Sequence, residues 1–504
     1  MTMLNALKSK SNISYTENGG VTHKSTLNGV LDLFAMGAAY RKRTDEDCIL
    51  LFKKAYDMSP KYALKCLFYI RDIRGGQGER RFFRACMKWL AQHDPIAVKR
   101  NMKYFAEYGR WDDLYCLVDT CLEGEAFEIL KNQLLLDMTC ETPSLCAKWV
   151  KSENTSSRET RRLASKTREA LEMDHKHYRK MLSHLRTKIN LLEKLMSENR
   201  WDEIQFDKIP SKAGLIYKNA FARRDIIKAK YEKFAKDTTI KVNAAALYPY
   251  EVVEKAIEAT RYYRRGINET DRAMINKYWE NLTDYFNGAT FNALAMVDTS
   301  GSMMGNPMNV AISLGLYCAE RMRGPFHNHY ISFSSRPQLI ECEGIDFVDK
   351  VHRIYSTNLC ENTNIEAAFD MLLNTAISNH MSQDDMPQNI IVISDMEFDA
   401  ATADSMGWFY HDRRQRNGSI INSANAETVM EGIARKWKQY GYECPNIIYW
   451  NVNARNDNIP AIGANHISYV SGFSPSIFDS IMSGKDDIDL MLDKIDSVRY
   501  APIE

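Results

Sequence analysis

The sequence lacks long apolar runs. No stretch of its 504 residues reaches the eighteen or so apolar residues that a membrane-spanning helix needs. The first ten residues, Met-Thr-Met-Leu-Asn-Ala-Leu-Lys-Ser-Lys, also lack the apolar core of a signal peptide. These absences predict a soluble, cytoplasmic protein with no membrane partner.

Cysteines with metal-ligand spacing are absent as well. The chain has 11 cysteines, an odd number, and most lie inside apolar patterns such as Lys65-Cys66-Leu67-Phe68. Scattered cysteines of this kind are typical of reduced core residues rather than of a disulfide framework or a zinc site. The pattern again indicates a cytosolic protein.

The common signatures of hydrolytic enzymes are missing too. The sequence contains neither a Gly-x-Ser-x-Gly elbow nor a His-Glu-x-x-His helix. His175 and His177 lie in a strongly charged stretch, where solvated side chains are expected rather than a zinc site. No nucleophile or general base can be named, and the sequence therefore predicts a binding protein and not an enzyme.

The most informative stretch that is present is Asp298-Thr-Ser-Gly-Ser302, which follows the apolar run Phe291–Val297. It places three oxygen-bearing side chains two residues apart on one short loop. Mg²⁺ and Mn²⁺ prefer oxygen ligands of this kind in near-octahedral geometry. Taken alone, the stretch fits a helix cap better than a metal site, since Ser, Thr and Asp favour the cap position.

Two further stretches match the first in order and content. Thr363 opens a helical pattern, and the buried-strand run that begins at Gln388 ends in Asp395. The three stretches together resemble the metal-ion-dependent adhesion site of the von Willebrand factor A family, and the resemblance extends from about Phe291 to the C-terminus. It implies Mg²⁺ or Mn²⁺ as the bound ion.

The resemblance also implies a role for each metal-site residue. Ser300 and Ser302 would bind the ion through their hydroxyl groups, and Thr363 would come from the second loop. Asp298 and Asp395 would hold the ion directly or through water. The family pattern usually has Gly-Gly-Thr where this chain has Glu361-Asn-Thr363, and Asp-Gly where it has Asp395-Met396.

Apolar and amphipathic segments alternate through this part of the chain. Short apolar runs predict strands at Asn292–Val297, Tyr330–Phe333, Asn389–Ile393 and Asn446–Val452. Between them, helical patterns occupy Met308–Arg323, Ile365–Ser378 and Ala426–Tyr440. This alternation predicts a doubly wound parallel sheet, in which ligands bind beyond the carboxyl ends of strands where the strand order reverses.

The preceding part of the chain has a different pattern. Helical spacing between Gly, Pro and Asp breaks predicts the successive helices Ser25–Tyr40, Cys48–Asp57, Tyr62–Asp72, Glu79–Gln92, Ala97–Tyr108, Trp111–Asp119 and Glu125–Asp137. Their similar lengths suggest stacked helix pairs, a HEAT-like repeat. We therefore predict an α plus α/β protein with an N-terminal tail (1–24), a helical domain (25–288) and an A-like domain with the adhesion-type metal site (289–504).

Charge is distributed unevenly between these two parts. Residues 291–504 hold 15 Lys/Arg against 27 Asp/Glu, although the whole chain carries a net charge of only +1. Residues 148–237 alone hold 23 Lys/Arg against 13 Asp/Glu. A basic face of this kind is typical of proteins that bind a polyanion, but long solvated helices also carry many lysines.

A second resemblance concerns specific strings in the helical part. Arg71-Asp-Ile-Arg-Gly-Gly-Gln-Gly-Glu-Arg80, Tyr108-Gly-Arg-Trp-Asp-Asp-Leu114 and Ile209-Pro-Ser-Lys-Ala213 are similar to the TROVE module of the Ro autoantigen and telomerase-associated proteins. The strings resemble the variant of that module seen in a family of plant, bacterial and viral proteins, in which a helical N-terminal half precedes an A-like domain. This resemblance implies a ribonucleoprotein-type function with small structured RNA as the partner.

The candidate nucleic-acid contacts are therefore basic residues of the helical part. They are Arg71, Arg74, Arg80, Arg81, Arg110, Arg161, Arg162, Lys166, Arg168, Arg179 and Lys180. The glycine-rich loop between Arg74 and Gly78 is interpreted either as a helix end followed by a new helix or as an anion-binding loop. An alternative function is also open, in which the chain is a protein-only adaptor that binds an acidic partner residue through its metal site.

Overall fold

A computed structural model describes residues 11–189, 191–245, 247–260, 267–333, 336–356, 364–399, 428–462, 467–482 and 484–504. The chain divides into two compact units. The sheet unit comprises Met1–Cys66, Tyr248–Ile267 and Thr283–Ser497, and the helical unit comprises Leu67–Leu247, Asn268–Leu282 and Val498–Glu504. Both units are therefore assembled from separate stretches of sequence, and these boundaries differ from the predicted division at residues 24 and 288.

The sheet unit is built around six strands. They are β3 (Ala293–Asp298), β4 (His329–Phe333), β5 (Gln338–Glu341), β6 (Asn389–Ser394), β7 (Asn446–Asn451) and β8 (Ile467–Ser471), in the spatial order β5-β4-β3-β6-β7-β8. All neighbouring pairs are parallel except β4 and β5, which run antiparallel. The chain passes from β3 outward to β4 and β5 and then returns to the other side of β3 as β6. The strand order therefore reverses between β3 and β6.

The centre of this sheet is buried on both faces. Every residue of β3 and of β6 is buried, which is typical of strands covered on both sides by other elements. The helix Asn306–Arg321 is buried along most of its length. A side chain at its Gly315 would place a Cβ atom 2.4 Å from Cγ2 of Val297, and this glycine therefore allows the helix to approach β3 closely.

Further helices complete the sheet unit in the described part of the chain. Most predicted helices are present here with shifted ends: Ala426–Tyr440, for example, begins at Val429, where Thr428 and Glu431 form a capping box. The helices are Gly29–Met36, Asp45–Met58, Pro249–Thr260, Phe347–Ser356, Ile365–Ser378, Val429–Gln439, Phe478–Ile481 and Asp487–Ile495, and Pro60–Arg71 runs from this unit into the helical unit.

The fold prediction requires two corrections in this unit. The sheet is mixed and not wholly parallel, because the edge strand β5 pairs antiparallel with β4. Second, the predicted N-terminal tail contains secondary structure, since β1 (Ile13–Tyr15) and β2 (Val21–His23) form an antiparallel hairpin. The hairpin is attached to the rest of the unit by hydrogen bonds between the backbones of His23 and Ile459.

The helical unit has the helix-rich character expected from the sequence, and the described part of it contains no strand. The continuous helix predicted at Ala97–Tyr108 is instead divided into Pro95–Asn101, a short 3₁₀ turn and Phe105–Tyr108. The α-helices that lie wholly in this unit are Arg80–His93, Pro95–Asn101, Phe105–Tyr108, Glu123–Thr139, Cys146–Trp149, Arg158–Ala170, His175–Lys188, Leu192–Ser197, Ser211–Arg223, Asp225–Lys236 and Glu269–Glu280.

The 3₁₀ helix Trp111–Leu117 carries a buried pair of aspartates. Asp113 is completely buried and accepts bonds from Arg71 Nη2 at 2.7 Å and Arg84 Nε at 2.7 Å. A Cβ atom on Gly109 would lie 2.2 Å from Asp113 Oδ2. The string Tyr108-Gly-Arg-Trp-Asp-Asp therefore contains both Asp113 and Gly109, and the missing side chain of Gly109 leaves room for the Asp113 carboxylate.

The glycine-rich loop 74–78 is a connection between two helices. Glu79 caps the helix Arg80–His93, since its side chain accepts hydrogen bonds from the N–H groups of Arg81 and Phe82. A Cβ atom on Gly76 would lie 2.0 Å from the carbonyl oxygen of Tyr69. This geometry is that of the first interpretation of the loop, a helix end followed by a new helix.

The second aspartate of the buried pair predicts how the protein responds to acid. The side chain of Asp112 is 5% exposed and contacts Arg84, Arg110 and Lys151. Burial alone would raise its pKa, but these cations outweigh burial and lower the pKa from 3.8 to about 2. A carboxyl group with a lowered pKa stabilises the fold above its unfolded pKa, and this stabilisation disappears as pH falls through the folded value.

We therefore expect Asp112→Asn to lower the free energy of unfolding at pH 7 by more than it does at pH 2. The part of this difference that arises from protonation of Asp112 is about 2 kcal/mol, because folding lowers the pKa of this residue from 3.8 to about 2. Urea unfolding of the full chain between pH 7 and pH 2 measures it. The exposed Asp207 supplies the control variant Asp207→Asn, and a constant gap between wild type and Asp112→Asn at every pH would contradict the prediction.

No helix in the described ranges combines the length and the apolar composition needed to cross a lipid bilayer.

Candidate metal centre and candidate nucleic-acid surface

The loop after β3 carries the first predicted metal-binding residues. Asp298 ends the strand and is completely buried. Its Oδ1 accepts a hydrogen bond of 2.9 Å from the backbone N–H of Ser300. The chain then turns through the 3₁₀ helix Gly301–Met303, and the hydroxyl oxygens of Ser300 and Ser302 lie 3.0 Å apart. The loop therefore gathers one carboxylate and two hydroxyl groups.

The end of β6 lies directly beside this loop. The hydroxyl group of Ser394 donates a hydrogen bond of 2.6 Å to Asp298 Oδ2. Asp395 follows, 1% exposed, and the backbone then takes a left-handed conformation at Met396, with φ of 64°. Glycine adopts this conformation more easily than methionine does. The structure thus brings Asp298, Ser300, Ser302 and Asp395 together.

The two carboxyl groups are electrostatically unfavourable neighbours. Burial raises the pKa of Asp298, although Ser394 and Ser300 oppose the shift through hydrogen bonds. Burial and the negative charge of Asp298 raise the pKa of Asp395 to about 7, while Arg455 and Ser302 oppose this rise. A cation placed between the two carboxylates would offset both effects, since opposite charge favours the ionised form.

A further observation indicates that the donor set fits a divalent cation. Asp395 Oδ2 is buried and, among the described residues, accepts no hydrogen bond. Arg455 Nε lies 3.3 Å from this oxygen but forms no hydrogen bond with it. A buried carboxylate oxygen without a hydrogen bond is costly unless a ligand satisfies it. Two carboxylates with two hydroxyl groups are hard oxygen donors, which suit Mg²⁺ or Mn²⁺ with water completing the shell. Thr363, the remaining predicted metal residue, lies outside the described residues.

Carboxylates alone would not form the site. The described part of the chain contains no group of three or more His, Cys, Asp or Glu side chains arranged to hold a metal. Glu397 is not available either, since Asn456 and Asn458 each donate to its Oε1 at 2.8 Å and Glu17 N–H donates to its Oε2. The serine hydroxyl groups are therefore essential to any cation site at this position.

Three residues at this site were missed by sequence reasoning. Ser394 immediately precedes Asp395 on a predicted strand, and its position at the strand end was an available signal. Arg455, whose Nε lies 3.3 Å from Asp395 Oδ2, and Glu17, which pairs with Arg455 at 2.9 Å, gave no local signal. Their proximity arises only from the folding of distant segments.

The candidate nucleic-acid residues fall into two groups. The first group is engaged with acidic residues of the same unit. Arg71 is 2% exposed and paired with Asp113, so its assignment as a nucleic-acid contact is corrected: it is a structural residue. The other members pair as follows: Arg110 with Asp112, Arg162 with Glu159 and Asp119, Lys166 with Asp119 and Glu123, and Arg168 with Glu153 and Glu169.

The second group is directed toward solvent. Arg161, Arg179 and Lys180 are exposed on the helices Arg158–Ala170 and His175–Lys188. The helix His175–Lys188 contains five Lys/Arg and no acidic residue. In the glycine-rich connection, Arg74 and Arg80 are exposed and Arg81 is half-buried. Of the five Lys/Arg on the helix His175–Lys188, Lys176, Arg179 and Lys180 are exposed, whereas Arg186 and Lys188 are half-buried and donate to backbone carbonyl oxygens.

Together these features define a two-part protein, with a helical unit and a mostly parallel sheet unit whose switch point carries a candidate cation site. A family model described as domain of unknown function DUF2828 matches residues 16–172 and 139–289. These matches together span more than half of the chain, which therefore belongs to the DUF2828 family. A second model, domain of unknown function DUF7788, matches residues 292–498.

Two individual proteins are similar along most of the chain. The mimivirus protein "Uncharacterized protein L728" of Acanthamoeba polyphaga mimivirus is 27% identical over 519 residues, covering 94% of this chain and 85% of the viral protein. Among solved structures, the Deinococcus radiodurans RO (RSR) protein matches with 12% identity and a TM-score of 0.39, covering 94% of this chain and 99% of that chain.

Proposed function

We propose that the sheet unit binds one Mg²⁺ or Mn²⁺ ion through Asp298, Ser300, Ser302 and Asp395, with Thr363 as a further ligand. The observation that carries this proposal is the pair of buried carboxyl groups at adjacent strand ends, one of which has an oxygen without a hydrogen bond. A bound ion would supply a positively charged position for an acidic side chain of a protein partner. The serine and aspartate side chains would hold and orient it.

We also propose that the helical unit binds small structured RNA, so that the whole chain acts as a ribonucleoprotein-type binding protein. The support is the set of exposed cations on the helices Arg158–Ala170 and His175–Lys188: Arg161, Lys176, Arg179 and Lys180 are exposed, and the second helix has no acidic residue. Phosphate contacts of this kind position a nucleic acid without reading its sequence. This proposal assigns binding and no catalytic step.

The triple variant Arg161→Glu, Arg179→Glu and Lys180→Glu tests the RNA proposal. We expect its affinity for a labelled stem-loop RNA to fall by at least tenfold at low salt, because each reversal removes a phosphate contact and adds a repulsive charge. The slope of log K against log salt should flatten by roughly one unit per lost contact. Fluorescence anisotropy titrations between roughly 50 and 200 mM salt measure both quantities.

A matched control separates the proposed surface from net charge alone. The exposed Lys228, Lys233 and Lys236 lie on a different helix, Asp225–Lys236. Reversing these three lysines to Glu changes the net charge by the same amount. Equal loss of RNA affinity in both triple variants would contradict the assignment of the RNA surface to the helices Arg158–Ala170 and His175–Lys188. Unchanged affinity in the first triple variant would contradict the RNA proposal.

The alternative function is a protein-only adaptor that uses the metal site to bind an acidic partner residue. One observation favours it: Arg162, Lys166 and Arg168 are already paired with acidic residues of the helical unit. This pairing reduces the charge available to phosphate. The adaptor proposal predicts no salt-dependent binding of stem-loop RNA by the wild-type chain, and the same titrations therefore distinguish the two functions.

A further inference from the structure

Arg455 connects the candidate metal centre to the N-terminal hairpin. It lies on the loop that follows β7, the strand next to β6 in the sheet. Its Nη1 is 2.9 Å from Glu17 Oε2, and its Nε is 3.3 Å from Asp395 Oδ2. One guanidinium group is therefore shared between two carboxylates, of which only Asp395 belongs to the metal centre.

The two contacts of Arg455 differ in kind. Its Nε and Asp395 Oδ2 are both buried, yet neither has a hydrogen-bond partner among the described residues. The 3.3 Å contact between them is thus an attraction of charges without a directed hydrogen bond. Breaking such a contact in favour of a competing cation costs less free energy than breaking a well-aligned, charge-assisted hydrogen bond would.

The loop that carries Arg455 and the turn of the N-terminal hairpin are both held in place by hydrogen bonds. The backbone N–H of Ala454 donates to the carbonyl oxygen of Ala39, and Arg43 Nη1 donates to the carbonyl oxygen of Arg455 at 2.9 Å. The hairpin turn is fixed where Thr16 Oγ1 donates to the carbonyl oxygen of Phe398 at 2.6 Å. Arg455 can therefore change its side-chain partner without movement of its loop.

Glu17 is anchored in the same way. Its backbone N–H donates to Glu397 Oε2 at 2.8 Å, and Asn456 Nδ2 bridges Glu17 Oε1 and Glu397 Oε1 at 3.0 and 2.8 Å. The hairpin thus presents a second carboxylate at a fixed position beside the guanidinium group. This carboxylate can retain Arg455 when Asp395 binds something else.

We propose that Arg455 is a built-in cation that competes with the divalent metal for Asp395 and so sets the affinity of the site, with Glu17 as the carboxylate that retains the guanidinium group once metal is bound. This inference rests on the metal site proposed above. Two cations a few ångströms apart repel each other strongly in a partly buried site. Removing the positive charge of Arg455 should consequently strengthen metal binding.

The test is calorimetric titration of Mn²⁺ into the full chain. We expect Arg455→Gln to bind Mn²⁺ at least tenfold more tightly than wild type, and Arg455→Lys, which keeps the charge, to stay within about threefold of it. Glu17→Gln should weaken binding, because the guanidinium group loses its alternative partner. The control Lys436→Gln removes a positive charge that pairs with Asp370 elsewhere in the sheet unit, and it should leave the affinity unchanged.

The outcomes separate this inference from the metal site itself. If Arg455 only positions Asp395, then Arg455→Gln will bind Mn²⁺ equally or less tightly, and the inference is wrong while the metal site stands. Binding by Arg455→Gln but not by wild type supports the inference. Absence of Mn²⁺ binding in both proteins overturns the inference and the metal site together. Thermal unfolding of each variant shows that it is folded, and Glu17→Gln provides an independent test if Arg455→Gln is not.

Discussion

Asp298→Asn is expected to abolish Mn²⁺ binding without destabilising the metal-free protein. The amide has the shape of the carboxylate: its oxygen can still accept the hydrogen bond from Ser300 N–H, and its Nδ2 can donate to Ser394 Oγ once that hydroxyl group rotates to accept. It removes one of two buried negative charges, and burial of that charge is what raises the pKa of Asp298. The metal-free variant should therefore be at least as stable as wild type at pH 8.

Thermal unfolding with and without Mn²⁺ measures both effects. Wild type should gain about 2.7 kcal/mol of stability when the free Mn²⁺ concentration is one hundred times Kd, and Asp298→Asn should gain nothing. Asp349, a buried aspartate paired with Arg353 in the same unit, supplies the control variant Asp349→Asn, which should keep the full metal response. Equal stabilisation of wild type and Asp298→Asn by Mn²⁺ would show that Asp298 is not a ligand.

Asp113→Ala is expected to cause the largest loss of stability in the helical unit. Asp113 is completely buried and accepts bonds from Arg71 and Arg84, of which Arg71 is itself only 2% exposed. Removing one member of a buried ion pair costs about 3–5 kcal/mol, because the remaining charge has no compensation. Urea unfolding of the full chain, followed by circular dichroism, measures this loss.

Two further variants identify the origin of the effect. Asp119 pairs with Arg162 and Lys166 at an exposed position, where solvent screens the charges, and Asp119→Ala should therefore cost much less stability than Asp113→Ala. The double variant Asp113→Ala, Arg71→Met should recover part of the lost stability, because it removes the uncompensated buried charge. A loss in Asp113→Ala no larger than that in Asp119→Ala would contradict the account of this cluster.

The strands that the sequence predicts correctly are those with continuous apolar runs. β3, β4, β6 and β7 lie within one or two residues of their predicted positions, because buried central strands need apolar side chains on both faces. The edge strand β5 has mostly exposed residues, and the three-residue strands β1 and β2 are too short for a periodic pattern. Neither gives a signal that local sequence analysis can detect.

The candidate metal centre is partly predictable for a related reason. Asp298 and Asp395 each end an apolar run, and adjacent parallel strands place their carboxyl ends at one edge of the sheet. The position of Glu17 beside the candidate metal centre could not be predicted, since its hydrogen bond to Glu397 joins residues separated by 380 positions. Long-range contacts of this kind depend on the complete fold and leave no local pattern.

The basic residues illustrate the limit of charge counting. Sequence alone shows that residues 148–237 carry an excess of positive charge, but it does not show which cations already have partners. Arg168 pairs with Glu153, fifteen residues earlier in the chain, whereas Lys180 is exposed. Only the tertiary structure distinguishes the charges that stabilise the helical unit from those available to a ligand.

The most direct test of the metal centre is anomalous diffraction from crystals of the full chain grown with Mn²⁺. The account predicts one strong anomalous peak between Asp298 and Asp395, within coordination distance of Ser300 and Ser302 at about 2 Å. The corresponding peak should be absent in Asp298→Asn. Ordered density for these four side chains without an anomalous peak, at saturating Mn²⁺, would contradict the central claim that this switch point is a divalent-cation site.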